Sequence, residues 1–301
     1  MTIRKKRKIS KRTELWVCVI SAVLAVGITL YPLVRNLLGE RYRSLVETRY
    51  VKAVEALDDT EIQAARAAAE KYNNTLQTVT DAAYSKAALQ QAAESYDELL
   101  NVRGDGIMGY VEIPTINVTL PIYHGTDESS LSRGVGHLLG SSLPIGGLGT
   151  HCVLTGHSGL SGQKMFSDLS QLKIGDVFYL KTLDETLAYM VLNISTVLPE
   201  DTSKLGIAPD QDTVTLVTCT PYGVNTHRLL VQGQRIALPT AQRIVEQADF
   251  QETPAKSTWT HEYLRGIAYG GLGIAGLLAV AVIIFRPPKE AQPRKRGKHE
   301  V

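Results

Sequence analysis

Between residues 107 and 238 the chain alternates between short runs of β-branched and aromatic residues and turns rich in Gly, Pro and Asp. Runs of this kind, bounded by turn formers, are typical of β-strands. Many short strands at this spacing bury a shared core by forming a closed barrel or a sandwich. The pattern therefore predicts an all-β body, with strands over 107–113, 118–123, 151–155, 177–180, 186–198, 213–219 and 228–238 and a short helix over 164–169.

Residues 40–102 differ from this body because they are rich in Ala and contain no Gly or Pro. Their apolar residues recur at helical spacing, which predicts helices that pack in front of the β-rich part. An extracellular coiled-coil spacer is the structural alternative, but its heptads would be few and irregular. The run from Arg103 to Gly106, with two glycines around an aspartate, marks the boundary between the two parts.

Two apolar runs, over 15–33 and 266–285, each carry no charged residue over about the 20 positions that a bilayer crossing needs. Lys and Arg cluster before the first run and after the second, which predicts both termini in the cytoplasm and residues 40–262 outside. A cleaved signal peptide is the alternative for the first run, although its exit lacks a small-x-small site. A buried core helix is the alternative for the second run.

The net charge of +2 is unevenly distributed, because the basic residues concentrate in the two termini and leave the region between them net acidic. An acidic body argues against nucleic-acid binding. The predicted segments are a basic cytoplasmic tail (1–14), a transmembrane anchor (15–38), an extracellular helical region (39–105), the β-rich body (106–245), a linker (246–264), a transmembrane helix (265–285) and a second basic tail (286–301).

The three cysteines give no disulfide framework. Cys18 lies in the first apolar run, and Cys152 lies in an apolar strand, where a buried structural thiol is expected. Cys219 differs because it stands at the end of a strand, beside turn residues. An unpaired thiol in that place fits a reactive role better than a structural one.

The segment around Cys219 predicts a hairpin. Pro221 and Gly223 break the chain after the cysteine, and a second β-rich run begins at Arg228. Such a hairpin would place a thiol and a fixed positive charge near one rim of a sheet. A thiolate can attack a carbonyl carbon there, and a guanidinium can stabilise the oxyanion that forms. Taken alone, an arginine at a strand start is more often a solvated charge.

His157 follows another apolar strand and lies between Gly156 and Gly159, which let the backbone bend tightly. A histidine in this position could simply cap a turn. It could equally meet a cysteine that is distant in sequence, because the fold brings separate segments together.

With these residues in view, the chain resembles the sortase family, and most of all its class C, pilin-polymerising branch. The matching pieces are Thr-Gly-His ending at His157, Thr-Leu-Val-Thr-Cys ending at Cys219, and Arg228 nine positions later. Further resemblance lies within residues 109–114, 120–126 and 136–144. The resemblance to the family covers roughly residues 106–240 in all. The resemblance implies a mainly β fold: a closed eight-stranded sortase-type barrel with N-terminal helices and two transmembrane helices.

The resemblance also implies a function: a membrane-anchored cysteine transpeptidase on the outer face of a Gram-positive bacterium. Cys219 would be the nucleophile, His157 the general acid and base, and Arg228 the oxyanion donor. The partners would be pilin subunits or other surface proteins with LPxTG-like C-terminal signals, cleaved between Thr and Gly through a thioacyl enzyme. A pilin lysine would accept the acyl group. The alternatives are anchoring to the amine of a peptidoglycan precursor and a non-catalytic surface interaction module.

Many class C sortases carry an N-terminal lid with an Asp-Pro-aromatic signature, and residues 40–110 contain none. Asp81 and Tyr84 imitate it only weakly, so the sequence suggests an open or unusually covered groove. No cofactor or metal is expected, because no Cys/His grouping has zinc-ligand spacing and no glycine loop could hold a phosphate. Asp127 and Glu128 are adjacent acids of the kind that bind calcium in some sortase classes. Of the other histidines, His137 is expected to be structural, and His124 and His151 are expected to be surface or packing residues. His227, beside Arg228, is expected to point to the other face of its strand and is not assigned a catalytic role.

Overall fold

The computed structural model describes residues 11–77, 95–159, 163–249, 261–272 and 276. Eight strands close into a barrel in the order β1-β2-β3-β4-β7-β8-β6-β5, which confirms the predicted closed barrel. All strands but β3 correspond to predicted runs. β3 was missed because it has only three residues, with a glycine at its centre. The strands are β1 Ile107–Ile113, β2 Val118–His124, β3 Val135–His137, β4 Thr150–Thr155, β5 Val177–Thr182, β6 Glu185–Val197, β7 Asp212–Thr220 and β8 His227–Ile236.

Two kinds of pairing fix the geometry of one barrel rim. β4 and β7 run parallel, with Thr155 opposite Val217, so the C-terminal ends of both strands reach the same rim. β7 and β8 are antiparallel, with Cys219 opposite Arg228, so the turn between them also lies at that rim. Residues that follow β4 and residues that end β7 are therefore neighbours although they are distant in sequence.

Alternation along β7 separates the barrel interior from its outer face. Val214 and Leu216 belong to the main core inside the barrel. Val217 belongs to a separate cluster on the outer face, here called the outer apolar cluster. Side chains two positions apart on a strand share a face, so Cys219 lies on the same outer face as Val217. The outer apolar cluster consists of Val153, Val197, Leu205, Val217 and Leu230.

The N-terminal helices are confirmed. Helix α1 spans Lys11–Glu55, and α2 spans Asp59–Gln77. A reciprocal capping pair precedes α2, because the Glu61 amide donates to Asp58 Oδ1 at 2.8 Å and the Asp58 amide donates to Glu61 Oε2 at 2.9 Å. The end of α1 packs on the outer face of the barrel through a small apolar cluster: Val46, Tyr50, Val54, Ile107, Tyr110 and Tyr123.

Helix α2 is held to the barrel by polar contacts at both ends. Arg66 forms ion pairs with Asp184 and Glu185, each at 2.8 Å. Near the other end, the buried Asn73 accepts a hydrogen bond from the Leu143 amide at 2.7 Å through Oδ1. These contacts dock the helical region against the barrel, as the sequence predicts.

One helical stretch among the described residues, Val23–Glu55, is long and apolar enough to cross a membrane. It overlaps the predicted anchor at 15–38. The described residues thus contain one candidate span rather than the two predicted. Most of the predicted second span at 265–285 lies outside the described residues, although 261–272 are helical and fall in a separate compact unit that begins at Thr260. The lid position with Asp81 and Tyr84 also lies outside the described residues.

Two local elements differ from the sequence-based expectation. Helix α4, which spans Leu238–Asp249, was not predicted; Ala241 buries its inner face against β5 and β6. The helix predicted at 164–169 is wrong, because the chain there forms turns followed by a short 3₁₀ segment at Leu169–Gln171. Met165 has a positive φ of 40°, which a regular right-handed helix does not accommodate.

Candidate active site

The β7–β8 hairpin places a thiol and a guanidinium side by side. Cys219 and Arg228 are direct partners across the antiparallel pair, and both are half-buried. Opposite residues of an antiparallel pair extend their side chains from the same face of the sheet. The hairpin predicted from the sequence is therefore confirmed, and it presents both groups on the outer face of the rim.

The turn of this hairpin also orients Arg228. The guanidinium donates through Nη1 to the carbonyl of Asn225 at 3.3 Å and to that of His227 at 3.1 Å. Asn225 has a positive φ of 62°, which asparagine tolerates better than most residues. A guanidinium has five N–H donors, and one nitrogen supplies both contacts. The side chain is thus held by its own turn while keeping donors suited to an anionic oxygen.

His157 reaches the same rim through hydrogen bonds between the end of β4 and β7. The Gly156 amide donates to the carbonyl of Val217 at 2.9 Å, and Thr218 Oγ1 donates to the carbonyl of Gly156 at 2.7 Å. A Cβ on Gly156 would lie 2.6 Å from the Phe166 ring, so only glycine fits this approach. The structure therefore brings the segment with His157 alongside the strand end with Cys219.

Glu128 is a charged neighbour of His157 that the sequence reading did not place at the site. Its Oε2 lies 3.2 Å from Nε2 of the imidazole, and the His157 side chain is 26% exposed. Glu128 begins the short helix α3, which spans Glu128–Leu131 and is capped by Asp127 through the Ser130 amide. The two adjacent acids thus have separate roles. Within the described part of the chain, no group of three or more His, Cys, Asp and Glu residues could hold a metal ion.

Three other histidines have the packing roles that the sequence predicts. His137 donates through Nε2 to the carbonyl of Ser142, and burial lowers its pKa to about 4. His124 directs its two ring nitrogens at backbone carbonyls, 2.8 and 3.0 Å away. His151 pairs through Nδ1 with the carbonyl of Gly206 at 2.8 Å, and burial lowers its pKa. These imidazoles hold backbone segments together.

The two cysteines of the barrel have opposite environments. Cys152 is 3% exposed in the interior, where burial raises the pKa of its thiol. Cys219 is half-buried at the rim. A buried neutral thiol is inert, whereas a partly exposed thiol beside cationic groups can react. Of these two cysteines, only Cys219 has the environment that nucleophilic chemistry requires.

A buried apolar cluster lies next to Cys219 on the outer face. Val217 and Leu230, which oppose one another two positions below the thiol and the guanidinium, belong to the outer apolar cluster, whose members are all buried. Leu205 covers this cluster from the segment between β6 and β7, and the bond from His151 to Gly206 fixes that segment. The cluster therefore supports the strand ends that carry the thiol and the guanidinium at the rim.

A closed eight-stranded barrel with a cysteine, a histidine and an arginine at one rim fits a class of proteins that transfer acyl groups through a cysteine thiol. Comparison with known proteins agrees with this class. The family model described as the Sortase domain matches residues 111–236.

Solved structures give the same result. A Streptococcus pneumoniae sortase C, described with regard to catalysis and pilin substrate specificity, is 40% identical with a TM-score of 0.57, and the match covers 64% of this chain and 96% of that one. A Clostridium perfringens sortase C, solved with the C-terminal cell wall sorting motif, is 41% identical with a TM-score of 0.55, and the match covers 65% of this chain and all of that one. The chain belongs to the sortase family of cysteine transpeptidases, and these similarities place it in class C.

Curated relatives match over a shorter stretch. Sortase A of Streptococcus agalactiae serotype III is 30% identical over 131 residues, which are 42% of this chain and 52% of that protein. Across the first three such relatives, the matched part spans between 52% and 63% of their length. The chain thus spans about half to two thirds of the length of these relatives.

Proposed function

We propose that this protein is a membrane-anchored cysteine transpeptidase in which Cys219 is the nucleophile, His157 the general acid and base, and Arg228 the oxyanion donor. The observation that carries the proposal is the direct pairing of Cys219 with Arg228 across β7 and β8. This pairing supports attack on a carbonyl group at the rim, because the thiol of Cys219 and the guanidinium of Arg228 lie on the same face of the sheet.

The chemistry divides into two balanced steps. In the first, the Cys219 thiolate forms a C–S bond to the threonine carbonyl carbon, and Arg228 hydrogen-bonds the resulting oxyanion. The Thr–Gly C–N bond then breaks, and the departing amine takes a proton from His157. In the second step an acceptor amine gives a proton to His157 and forms a new C–N bond while the C–S bond breaks. An amide is exchanged for an amide, so no cofactor is required.

The proposed substrate is an LPxTG-like sorting signal near the C-terminus of a surface protein. One observation supports it: the similar Clostridium perfringens sortase C was solved with a C-terminal cell wall sorting motif. The partner is therefore an extended peptide.

The proposed acceptor is a lysine of a pilin subunit, which would yield an isopeptide-linked shaft. The class C similarity supports this choice, together with the pilin specificity described for the Streptococcus pneumoniae enzyme. Transfer to the amine of a peptidoglycan precursor is the second candidate. A product gel separates the two, because only polymerisation produces a ladder of covalent oligomers.

The proposed location is the outer face of the cell membrane of a Gram-positive bacterium, with both termini in the cytoplasm. The apolar stretch within α1 supports an anchor at 15–38. The uncharged run at 266–285 and the basic tail after it support a second crossing. Cysteine-accessibility mapping on intact cells tests this topology. Labelling of a cysteine introduced near residue 295 by an impermeant reagent would contradict it.

Incubation of the full chain in detergent with a fluorescent LPxTG peptide and a lysine-containing pilin tests the activity. We expect cleavage between Thr and Gly and a covalent product in the wild type. Cys219→Ala should give neither product nor acyl enzyme, and its circular dichroism should match that of the wild type. Turnover by Cys219→Ala would refute the assignment. A folded wild type with no labelling of Cys219 by a vinyl sulfone probe would instead indicate a non-catalytic surface module.

A further inference from the structure

We propose that Glu128 is a positioning residue that fixes the proton of His157 on Nε2 and thereby assigns proton transfer with the Cys219 thiol to Nδ1. The inference rests on the proposed function, because it specifies how the histidine of that site works. A third group that orients the histidine is a general feature of paired nucleophile and base sites.

The contact determines the tautomer. An ionised carboxylate only accepts hydrogen bonds, and Glu128 Oε2 lies 3.2 Å from Nε2 of His157. The contact is therefore a hydrogen bond when Nε2 carries a proton, in the neutral imidazole as well as in the imidazolium. Nδ1 is then the nitrogen whose proton is gained and lost.

The backbone that carries Glu128 is held in place by its helix. The Asp127 side chain accepts from the Ser130 amide at 3.0 Å and so caps α3. The buried Ser130 donates through Oγ to the carbonyl of His124 at 2.8 Å, which pins the helix to the end of β2. On the other side, the Phe166 amide donates to the carbonyl of His157 at 3.0 Å. Both backbones are thus fixed, and only the two side chains need to meet.

The proton balance follows from this geometry. The thiol of Cys219 passes its proton to Nδ1, and the imidazolium that forms donates from Nε2 to Glu128. The carboxylate stabilises this cation and so favours the thiolate. When the C–N bond of the substrate breaks, the proton on Nδ1 moves to the departing amine, and the imidazole returns to the Nε2–H tautomer. Glu128 itself neither gains nor loses a proton.

The remaining charged groups near His157 are few. Arg228 and Cys219 lie on the β7–β8 hairpin. Lys164 and Asp168, in the segment that follows His157, form an ion pair with each other at 3.3 Å. Within the described residues, Glu128 is the carboxylate that the structure pairs with this imidazole. Its side chain is 75% exposed, so its influence should weaken as salt screens the pair.

The test compares Glu128→Gln with a matched control, Glu112→Gln. Glu112 also forms an ion pair, with Lys181, but lies on β1 at the opposite wall of the barrel. The readout is the pH dependence of Cys219 alkylation by iodoacetamide in the full chain, followed by peptide mass spectrometry. This readout reports the thiolate and its imidazolium partner without any substrate.

We expect Glu128→Gln to slow alkylation of Cys219 at neutral pH by about fivefold, the scale of one partly exposed ion pair. The part of the pH profile of alkylation that depends on the imidazolium of His157 should move to lower pH, because this cation has lost its stabilising carboxylate. Glu128→Asp should restore part of the effect. Raising the salt concentration to about 0.5 M should slow the wild type towards the variant and leave the variant unchanged. Glu112→Gln should behave as the wild type.

Two outcomes would overturn the inference: superimposable profiles for Glu128→Gln and the wild type, or an equal change in Glu112→Gln. Peptide cleavage provides an independent second readout, in which Glu128→Gln should lower kcat and leave the KM for the sorting peptide unchanged. If the alkylation profile shifts but no variant cleaves any peptide, the proposed function fails and the role of Glu128 stands. If cleavage is normal and the alkylation profile does not shift, the proposed function stands and the role of Glu128 is refuted.

Discussion

Two histidines of the barrel, His157 at its rim and His137 in its interior, differ in what surrounds them. His157 at the barrel rim is partly exposed and faces a carboxylate that is itself exposed. His137 is fully buried, donates to the carbonyl of Ser142 and pairs through Nδ1 with the hydroxyl of Tyr96 at 2.8 Å. A histidine fixed between buried neutral groups holds its neighbours together, whereas one that meets solvent and a carboxylate can exchange a proton. The surroundings decide which histidine takes part in chemistry.

The two cysteines of the barrel differ in the same way, one in the interior and one at the rim. Cys152 points into the same interior that buries Leu154, and Cys219 stands where β7 leaves the sheet. Rim residues should therefore govern activity with little effect on stability, and buried residues should govern stability with little effect on the chemistry. Four changes test that separation, in order of expected effect.

The largest effect concerns the two thiols. Cys219→Ala should abolish both the thioacyl enzyme and the transpeptidation product, because the thiol that forms the C–S bond is removed. Cys152→Ala should retain turnover and lose some stability, because it removes a buried sulfur from the core. A fluorescent peptide assay measures the first effect, and urea unfolding measures the second. Comparable losses of activity in both variants would abolish the distinction between rim and core.

Loss of the guanidinium should rank next. Arg228→Ala should slow acylation by about 10²- to 10³-fold, the scale for removal of one oxyanion donor. Arg235→Ala is the matched control, because Arg235 lies on the same strand at the opposite end and faces Asp212 at 3.7 Å. Single-turnover kinetics with saturating peptide give the acylation rate. A loss below about threefold in Arg228→Ala would remove Arg228 from the oxyanion role.

The buried imidazole should control the acid sensitivity of the fold. The folded pKa of His137 is about 4 and the unfolded value about 6.5, so the unfolded chain binds the proton more tightly. Stability is full above pH 6.5 and falls between 6.5 and 4, by about 3 kcal/mol for this one group. His151, whose pKa burial also lowers, adds to the same loss.

Urea unfolding at pH 7, 5.5 and 4 measures this dependence. His137→Asn should be less stable at pH 7, because a buried contact to Tyr96 is altered, and should lose less stability on acidification than the wild type. Equal slopes for the two proteins would show that His137 does not titrate on unfolding in this window.

The smallest effect lies in the docking of α2. Asn73→Ala leaves the buried amide of Leu143 without its acceptor, which should cost about 1–3 kcal/mol of unfolding free energy. Thr75→Ala is the matched control, because it removes a side-chain hydrogen bond on the same helix, from the Thr75 hydroxyl to the carbonyl of Lys71 at 2.9 Å. Alkylation of Cys219 should proceed at the wild-type rate in both variants. A stability loss in Thr75→Ala as large as in Asn73→Ala would show that the contact of Asn73 with Leu143 has no special weight in docking α2.

The fold was predictable where local pattern dominates. The hairpin between Cys219 and Arg228 was readable because the strand, the turn formers and the second strand are contiguous. Strand β3 was not predicted, because three residues are too few to show an alternation of apolar and polar side chains. Helix α4 was not predicted, because its amphipathic face is short. The N-terminal helices followed from an uninterrupted Ala-rich stretch.

The site was predictable only in part. His157, Cys219 and Arg228 stand out because each follows or begins a β-rich run beside turn residues. Their meeting depends on the parallel pairing of β4 with β7, which no local pattern encodes. The contact of Glu128 with His157 also depends on barrel closure, because α3 lies between β2 and β3. The adjacent acids Asp127 and Glu128 were the one visible signal, and the sequence related them only to calcium-binding loops.

The most direct test is to find the covalent intermediate itself. The full chain is incubated with an LPxTG peptide without an acceptor amine, quenched in acid and digested, and the cysteine peptides are weighed by mass spectrometry. We expect the peptide with Cys219 to carry the acyl fragment that ends in threonine, with Cys152 unmodified. Cleavage of the sorting peptide with no adduct on Cys219, or with the adduct on Cys152, would contradict the account.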